Sequence, residues 1–171
     1  LPMWQRARLG ISFLSQEPSV FRKFSVAENL RALLEFRYND KASIEEEASR
    51  LLKQFNLEAR RDQKAYSLSG GERRRVEIAR AMISSPKFLL LDEPFTGIDP
   101  IARSDLQEII LSLKRKNIGI LISDHNVRET LEITDRAYLI YDSKVLISGT
   151  AKDLIENPKA RELYLGEKFK I

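Results

Sequence analysis

Two carboxylates leave an apolar run together at Asp92-Glu93, where "FLLL" at 88–91 closes on "DEP". A run of that kind reads as a strand buried on both faces, delivering the acids at its carboxyl tip. Neighbours on a strand point to opposite sides, so the two acids can divide the work. One can hold a divalent cation through water while the next polarises an attacking water. A second run, "IGILIS", ends at Asp124-His125, and a third, "GISFLS", ends at Gln16. His125 is the sole histidine of the chain. A lone histidine more often serves structure, but after a buried strand and an aspartate it is placed to bond a phosphate oxygen or a water. An acid after one strand is commonly a loop residue or a helix cap. Three strand ends with metal- or water-handling groups point instead to a ligand at the carboxyl edge of a parallel sheet.

The stretch "SLSGGERRR" at 67–75 sets two of the seven glycines side by side at a helix start. Glycine costs roughly 1 kcal/mol against alanine inside a helix. A helix N-terminus offers unpaired N–H groups and about half a positive charge, which attract anions. Glycines there remove the Cβ atoms that hold a phosphate off the backbone. Ser69, Gly70 and Gly71 are therefore expected to cradle a phosphate, whereas a flexible loop accounts for one glycine better than two. Arg73, Arg74 and Arg75 are expected to be solvated and to pair with Glu72 and Glu77 rather than contact nucleic acid.

The elements that must position these groups follow from pattern. Residues 10–15 read as a strand stopped by Pro18. Ser25 with Glu28 forms a capping box for a helix whose Val26, Leu30, Leu33 and Leu34 share a face. Ser43 with Glu46 reads as a second box, for a helix carrying Ala48, Leu51, Leu52 and Phe55. A loop over about 57–68 leads to a third helix, roughly 72–84, so residues 25–85 are mostly helical. After the 88–92 strand, a helix over about 100–116 has Ile101, Ile109, Ile110 and Leu113 as its stripe. "RAYLIY" and "KVLIS" joined through Asp142-Ser143 suggest a hairpin. Two helical pieces with Asn157-Pro158 between them finish the chain. Strand–helix alternation implies an α/β fold with a parallel sheet, into which the helical block is inserted.

The 171 residues suit one domain, and 43% apolar content supports a core. Charged residues make up 32% with a formal net charge of +4, spread without a basic block that would mark a nucleic-acid arm. Cysteine is absent, which excludes disulfides, thiolate metal sites and cysteine nucleophiles. No apolar run approaches the ~20 residues of a membrane span, and the bland expectation is a cytoplasmic protein.

"LSGGE" at 68–72, "FLLLDEP" at 88–94, "TGIDP" with Asp99, "SDH" at 123–125 and Gln16 occur in the order found in ABC transporter ATPase subunits, a family this chain resembles over its whole length. The resemblance implies a P-loop NTPase-like α/β domain over 1–171 with a helical signature subdomain over 25–85, ATP and Mg²⁺ as cofactors, and hydrolysis coupled to transport. It implies that Gln16 touches Mg²⁺ and couples to a membrane partner, that Asp92 is the Walker B metal ligand and Glu93 the general base, and that His125 is the switch histidine. Ser69, Gly70, Gly71 and Glu72 would address the ATP of a neighbouring subunit, and Asp99 would cross the dimer interface. A homodimer on transmembrane permease subunits, peripheral to the cytoplasmic face of an inner membrane, is the implied assembly, with no nucleic acid. "ISFLSQEPSVFRKFSVAENL", "SDHNVRETLEITDRAYLI" and the ending "YLGEKFKI" look most similar to lipopolysaccharide-export ATPase subunits. Branched-chain amino-acid importer ATPases and a non-catalytic regulatory protein of the same fold are the alternatives. DNA-repair and chromosome ATPases share a signature sequence but carry long coiled coils, and residues 25–68 lack sustained heptads.

The family's Walker A loop, G-x-x-x-x-G-K-[ST], does not occur in these residues. The aromatic group that stacks on adenine has no assignable counterpart either. The expectation is an N-terminally truncated cassette, the C-terminal portion of a longer subunit, unable to bind ATP tightly or to hydrolyse it alone.

Overall fold

A computed structural model describes residues 1–165. Its chain divides into two compact units, one over Leu1–Ser123 and one from Asp124 onward.

The first unit holds α1 (Met3–Arg8), β1 (Ile11–Leu14), α2 (Val26–Leu34), α3 (Lys41–Gln54), α4 (Gly70–Met82), β2 (Phe88–Asp92), α5 (Pro100–Arg115) and β3 (Gly119–Ser123). Single 3₁₀ turns at Glu58–Arg60 and Ala65–Ser67 break the 57–68 connection. The three strands form a parallel sheet in the order β1-β2-β3, with Ile11 beside Phe88 and Phe88 beside Gly119.

α2 starts where the sequence marks it. Ser25 Oγ accepts from the Glu28 amide, and the Glu28 carboxylate accepts from the Ser25 amide. The core of the helical block is Val26, Leu30 and Leu34 on α2 with Ile44, Ala48, Leu51 and Leu52 on α3 and Val76, Ile78 and Ala79 on α4. Asn29, fully buried on α2, ties the preceding loop down. Its Oδ1 accepts from the Phe21 amide at 2.9 Å, and its Nδ2 donates to the Phe21 carbonyl at 3.1 Å and the Ser25 carbonyl at 3.0 Å.

Several local expectations change. "MWQRAR" is a helix, α1, although it runs directly toward β1. α3 is capped by Asp40, whose side chain accepts from the Ser43 amide at 2.8 Å, so Ser43 lies inside the first turn and forms no box with Glu46. α4 begins at Gly70 rather than 72, because Ser69 and Glu72 themselves form a capping box. Ile101 is 79% exposed, and the buried stripe of α5 is Ala102, Leu106, Ile109, Ile110 and Leu113. β2 is buried on one face only. Leu89 and Leu91 are sealed, while Phe88, with Phe13 of β1 and Leu121 of β3, stands at 48–61% exposure on the other face. The unbroken apolar run therefore reflects apolar side chains on both faces, of which α4 and α5 cover one.

The second unit holds α6 (Val127–Leu131), β4 (Ala137–Tyr141), β5 (Lys144–Gly149), α7 (Ala151–Glu156) and α8 (Pro158–Ala160), followed by one π turn at Arg161–Leu165. β4 and β5 form the expected hairpin. Asp142 and Ser143 both take positive φ, 47° and 59°, as a two-residue primed turn demands. Leu131, Leu139, Leu154 and Ala160 make its small core. The last residues of "YLGEKFKI", 166–171, lie outside the described residues.

Candidate functional site

The carboxyl ends of β1 and β2 bring Gln16, Asp92 and Glu93 together within the first unit. Register puts Asp92 opposite Ser123, whose hydroxyl donates to Asp92 Oδ1 at 2.6 Å. Glu93 leaves the ladder. Its amide donates to the Ser123 carbonyl at 2.7 Å, and its backbone turns left-handed with φ 44°. That conformation costs a non-glycine residue roughly 1–2 kcal/mol. Glu93 Oε2 accepts from Gln16 Nε2 at 2.8 Å and from Thr96 Oγ1 at 3.1 Å. The two acids thus face different partners, as the sequence suggests, but a left-handed turn separates them rather than strand alternation. Among the described residues no three acids, histidines or cysteines gather as a metal cage. A site with one carboxylate, oriented by a hydroxyl, suits Mg²⁺, which keeps most of its shell as water and substrate phosphate.

At the start of α4, Ser69 is the N-cap. Its amide donates to Glu72 Oε2 at 2.9 Å, and its hydroxyl accepts from the Glu72 amide at 3.2 Å. Arg60 adds an ion pair to Glu72 at 2.6 Å. Burial pushes the Glu72 carboxyl up, but the Ser69 amide, Arg60 and the Ser69 hydroxyl outweigh it and hold it below the ordinary glutamate value. The glycines have a packing reason beyond any ligand. A Cβ on Gly71 would stand 2.5 Å from Ala102 Cβ on α5, and one on Gly70 would stand 3.0 Å from the Gly97 carbonyl. The Cβ direction of Gly71 is therefore filled by α5, while Ser69 is exposed and the early amides of the helix are ones that no helix turn can satisfy. The same contacts bring 69–71 against the "TGIDP" segment, where Gly97 has φ 70° and Asp99 caps α5 through the Ala102 amide at 3.0 Å.

Arg74 departs from expectation most. Arg73 and Arg75 are half-buried, and Arg75 reaches Asp105 at 3.4 Å. Arg74 is buried and paired with Glu77 at 3.1 Å, while it donates to the carbonyls of Ser15 and Asp92 at 2.7 Å each and of Glu93 at 3.4 Å. A triple-arginine run hides this. The readable signal is spacing, since residue 74 lies three positions after Gly71 and four before Ile78, both buried. Thr96, the first residue of "TGIDP", also touches Glu93, a contact that the motif with its emphasis on Asp99 does not announce.

In the second unit, Asp124 has no exposed side-chain surface and Oδ1 accepts from the Asn126 amide at 2.8 Å, which shapes the turn into α6. His125 Nδ1 lies 3.8 Å from Asp124 Oδ1, with the imidazole 62% exposed.

Residues 2–96 match the ABC transporter family. The lipopolysaccharide export system ATP-binding protein LptB of Acidithiobacillus ferridurans is 52% identical over 171 residues, covering 100% of this chain and 71% of that protein. LptB of Escherichia coli strain K12 is 47% identical over 172 residues, with the same coverage. Among solved structures, a nucleotide-free ATP-binding cassette from an ABC transporter superposes with TM-score 0.82 at 28% identity, over 95% of this chain and 71% of that one. The ADP conformation of an ABC transporter cassette gives TM-score 0.79 at 28% identity over the same shares. With nearly half or more of its residues shared with these ATP-binding proteins and its parallel sheet laid over their cassettes, the chain belongs to the ABC transporter family of ATP-binding subunits.

Proposed function

We propose that this chain forms part of the ATP-hydrolysing subunit of a transporter that exports lipopolysaccharide, peripheral to the cytoplasmic face of an inner membrane. The observation that carries the hydrolytic reading is the convergence of Gln16, Asp92 and Glu93 at adjoining strand ends, with Glu93 held by Gln16 at 2.8 Å. The cargo assignment rests on the export-system relatives at 47–52% identity over the whole chain. Among the described residues no helix is long and apolar enough to cross a membrane, in keeping with a peripheral subunit.

The residues divide the work as follows. Asp92, its carboxylate oriented by Ser123, and Gln16 hold Mg²⁺, which when bound neutralises charge on the phosphates. Glu93 takes a proton from water as the water oxygen bonds the γ-phosphorus and the bond to the β-phosphate oxygen breaks. His125, in the second unit, serves as the switch histidine, its imidazole suited to bond a phosphate oxygen or a water. Ser69 and the amides of Gly70 and Gly71, braced by Glu72, address nucleotide bound on a second subunit, and Asp99 lies at that homodimer boundary. Residues 25–85 act as the signature subdomain. Phe21 to Phe24, just before it, and Ala32, Leu33 and Phe36 inside it line a cavity of about 460 Å³. Arg80 sits 4.5 Å above the Phe21 ring, and this groove receives a helix of a transmembrane permease subunit.

Glu93→Gln in the full-length protein should cut turnover to a small residual rate, preserve ATP binding and accumulate a nucleotide-closed dimer; unaltered hydrolysis would remove Glu93 as the base. Phe21→Ala should weaken co-purification with membrane partners, and undiminished association would exclude the groove.

A further inference from the structure

Arg74 is the buried charge for which hydrolysis, as set out above, has no task. Its side chain is 7% exposed and that of its partner Glu77 2%. A buried ion pair is weak as a stabilising device, because desolvation offsets most of the attraction. The geometry of this one is directed elsewhere. Arg74 Nη1 donates to the carbonyl of Ser15, the residue before Gln16, at 2.7 Å. Arg74 Nη2 donates to the carbonyls of Asp92 at 2.7 Å and Glu93 at 3.4 Å. Glu77 Oε1 accepts from the amide of Ser19, three residues beyond Gln16, at 2.7 Å. One ion pair on α4 therefore holds the Gln16 loop at both roots and the two peptide groups that flank the Cα of Glu93.

Those two peptide groups set the backbone angles of Glu93, and its φ is 44°. A glutamate stays left-handed only where its surroundings over-determine it. We propose that Arg74 is a positioning residue for hydrolysis: its guanidinium fork fixes the left-handed turn at Glu93 and the root of the Gln16 loop, and so aligns the Gln16–Glu93 pair from the helix that Ser69 caps. Lysine cannot replace it, being a point charge without a planar fork that spans two strands. The proposal rests on the reading of Glu93 as the base.

The test is steady-state Mg-ATP hydrolysis by full-length Arg74→Lys, alone and combined with Glu93→Gln. Displacing a reacting group by an ångström costs up to about a hundredfold, so kcat should fall about tenfold or more. KM should stay within about twofold, since uniform ATP binding is untouched. In the Glu93→Gln background, Arg74→Lys should change the residual rate by less than about twofold, because its effect runs through Glu93. A single variant with kcat within about threefold of the parent, a raised KM at constant kcat, or full additivity with Glu93→Gln would each overturn the positioning role. If Arg74→Lys fails to fold by circular dichroism, Arg74→Met/Glu77→Leu, which removes both buried charges together, is judged by the same numbers. Normal hydrolysis by Glu93→Gln alone would defeat the base assignment itself, a failure distinct from a negative result at Arg74.

Discussion

Gly71→Ala separates helix packing from ligand access as the reason for the paired glycines. The new methyl carbon would lie 2.5 Å from Ala102 Cβ. Nonbonded carbons rest about 3.5–4.0 Å apart, so α4 and α5 must part by roughly 1 Å. Overpacking of this kind costs about 1–3 kcal/mol, and alanine's better helix propensity returns up to about 1 kcal/mol. The net loss is about 1–2 kcal/mol, or roughly 2–8 °C in Tm for a protein of this size. Thermal and urea unfolding of the full-length protein measure it. Ala102→Gly deletes the methyl that is struck, so the double variant should recover stability, with a coupling of about 1–2 kcal/mol in the cycle. Gly71→Ala melting at or above the parent, or no recovery on adding Ala102→Gly, refutes the packing explanation.

Asp40→Ala should cost about 1 kcal/mol and Ser43→Ala only a few tenths, by urea midpoint at constant m, and the reverse order would restore Ser43 as the cap of α3. Glu72 has a folded-state pKa held below its ordinary value of 4.5, so its contribution is fully present above that value and is lost as pH falls through the depressed one. Unfolding free energies measured from pH 6 to pH 3 should therefore fall less steeply for Glu72→Gln than for the parent; parallel curves would show that the carboxylate contributes nothing by this route.

How much was legible depended on whether the signal was local. Ser25 and Glu28 announce α2 because both partners of the cap lie within one turn, and Asp142-Ser143 announces the hairpin because the turn needs residues that tolerate positive φ. The same rule applied at Ser69 and Glu72 puts the start of α4 at Gly70. Asp40 was hidden by a competing serine three residues on, and α1 by a span too short to show a period. At the site, the acids after β2 were readable from the strand they terminate. The burial of Arg74 had a local signal in its spacing from Gly71 and Ile78, masked by the triple-arginine run, but the left-handed turn at Glu93 and the fit of Gly71 against Ala102 arise from contacts made across long stretches of chain, which no window of neighbouring residues contains.

The register of β1 against β2 also sets a schedule for biosynthesis. Residue 11 pairs with residue 88, and the helical block lies between them. Closing a flexible loop of that length costs about 4 kcal/mol. At a ribosomal rate of about 5–20 residues per second, β1 waits roughly 4–15 s for its partner strand to emerge. Throughout that interval Ile11 to Leu14 present an apolar, hydrogen-bond-hungry ribbon to the nascent-chain environment. The helices between them contact one another, α2 against α3 and α4, through partners that emerge before β2 does.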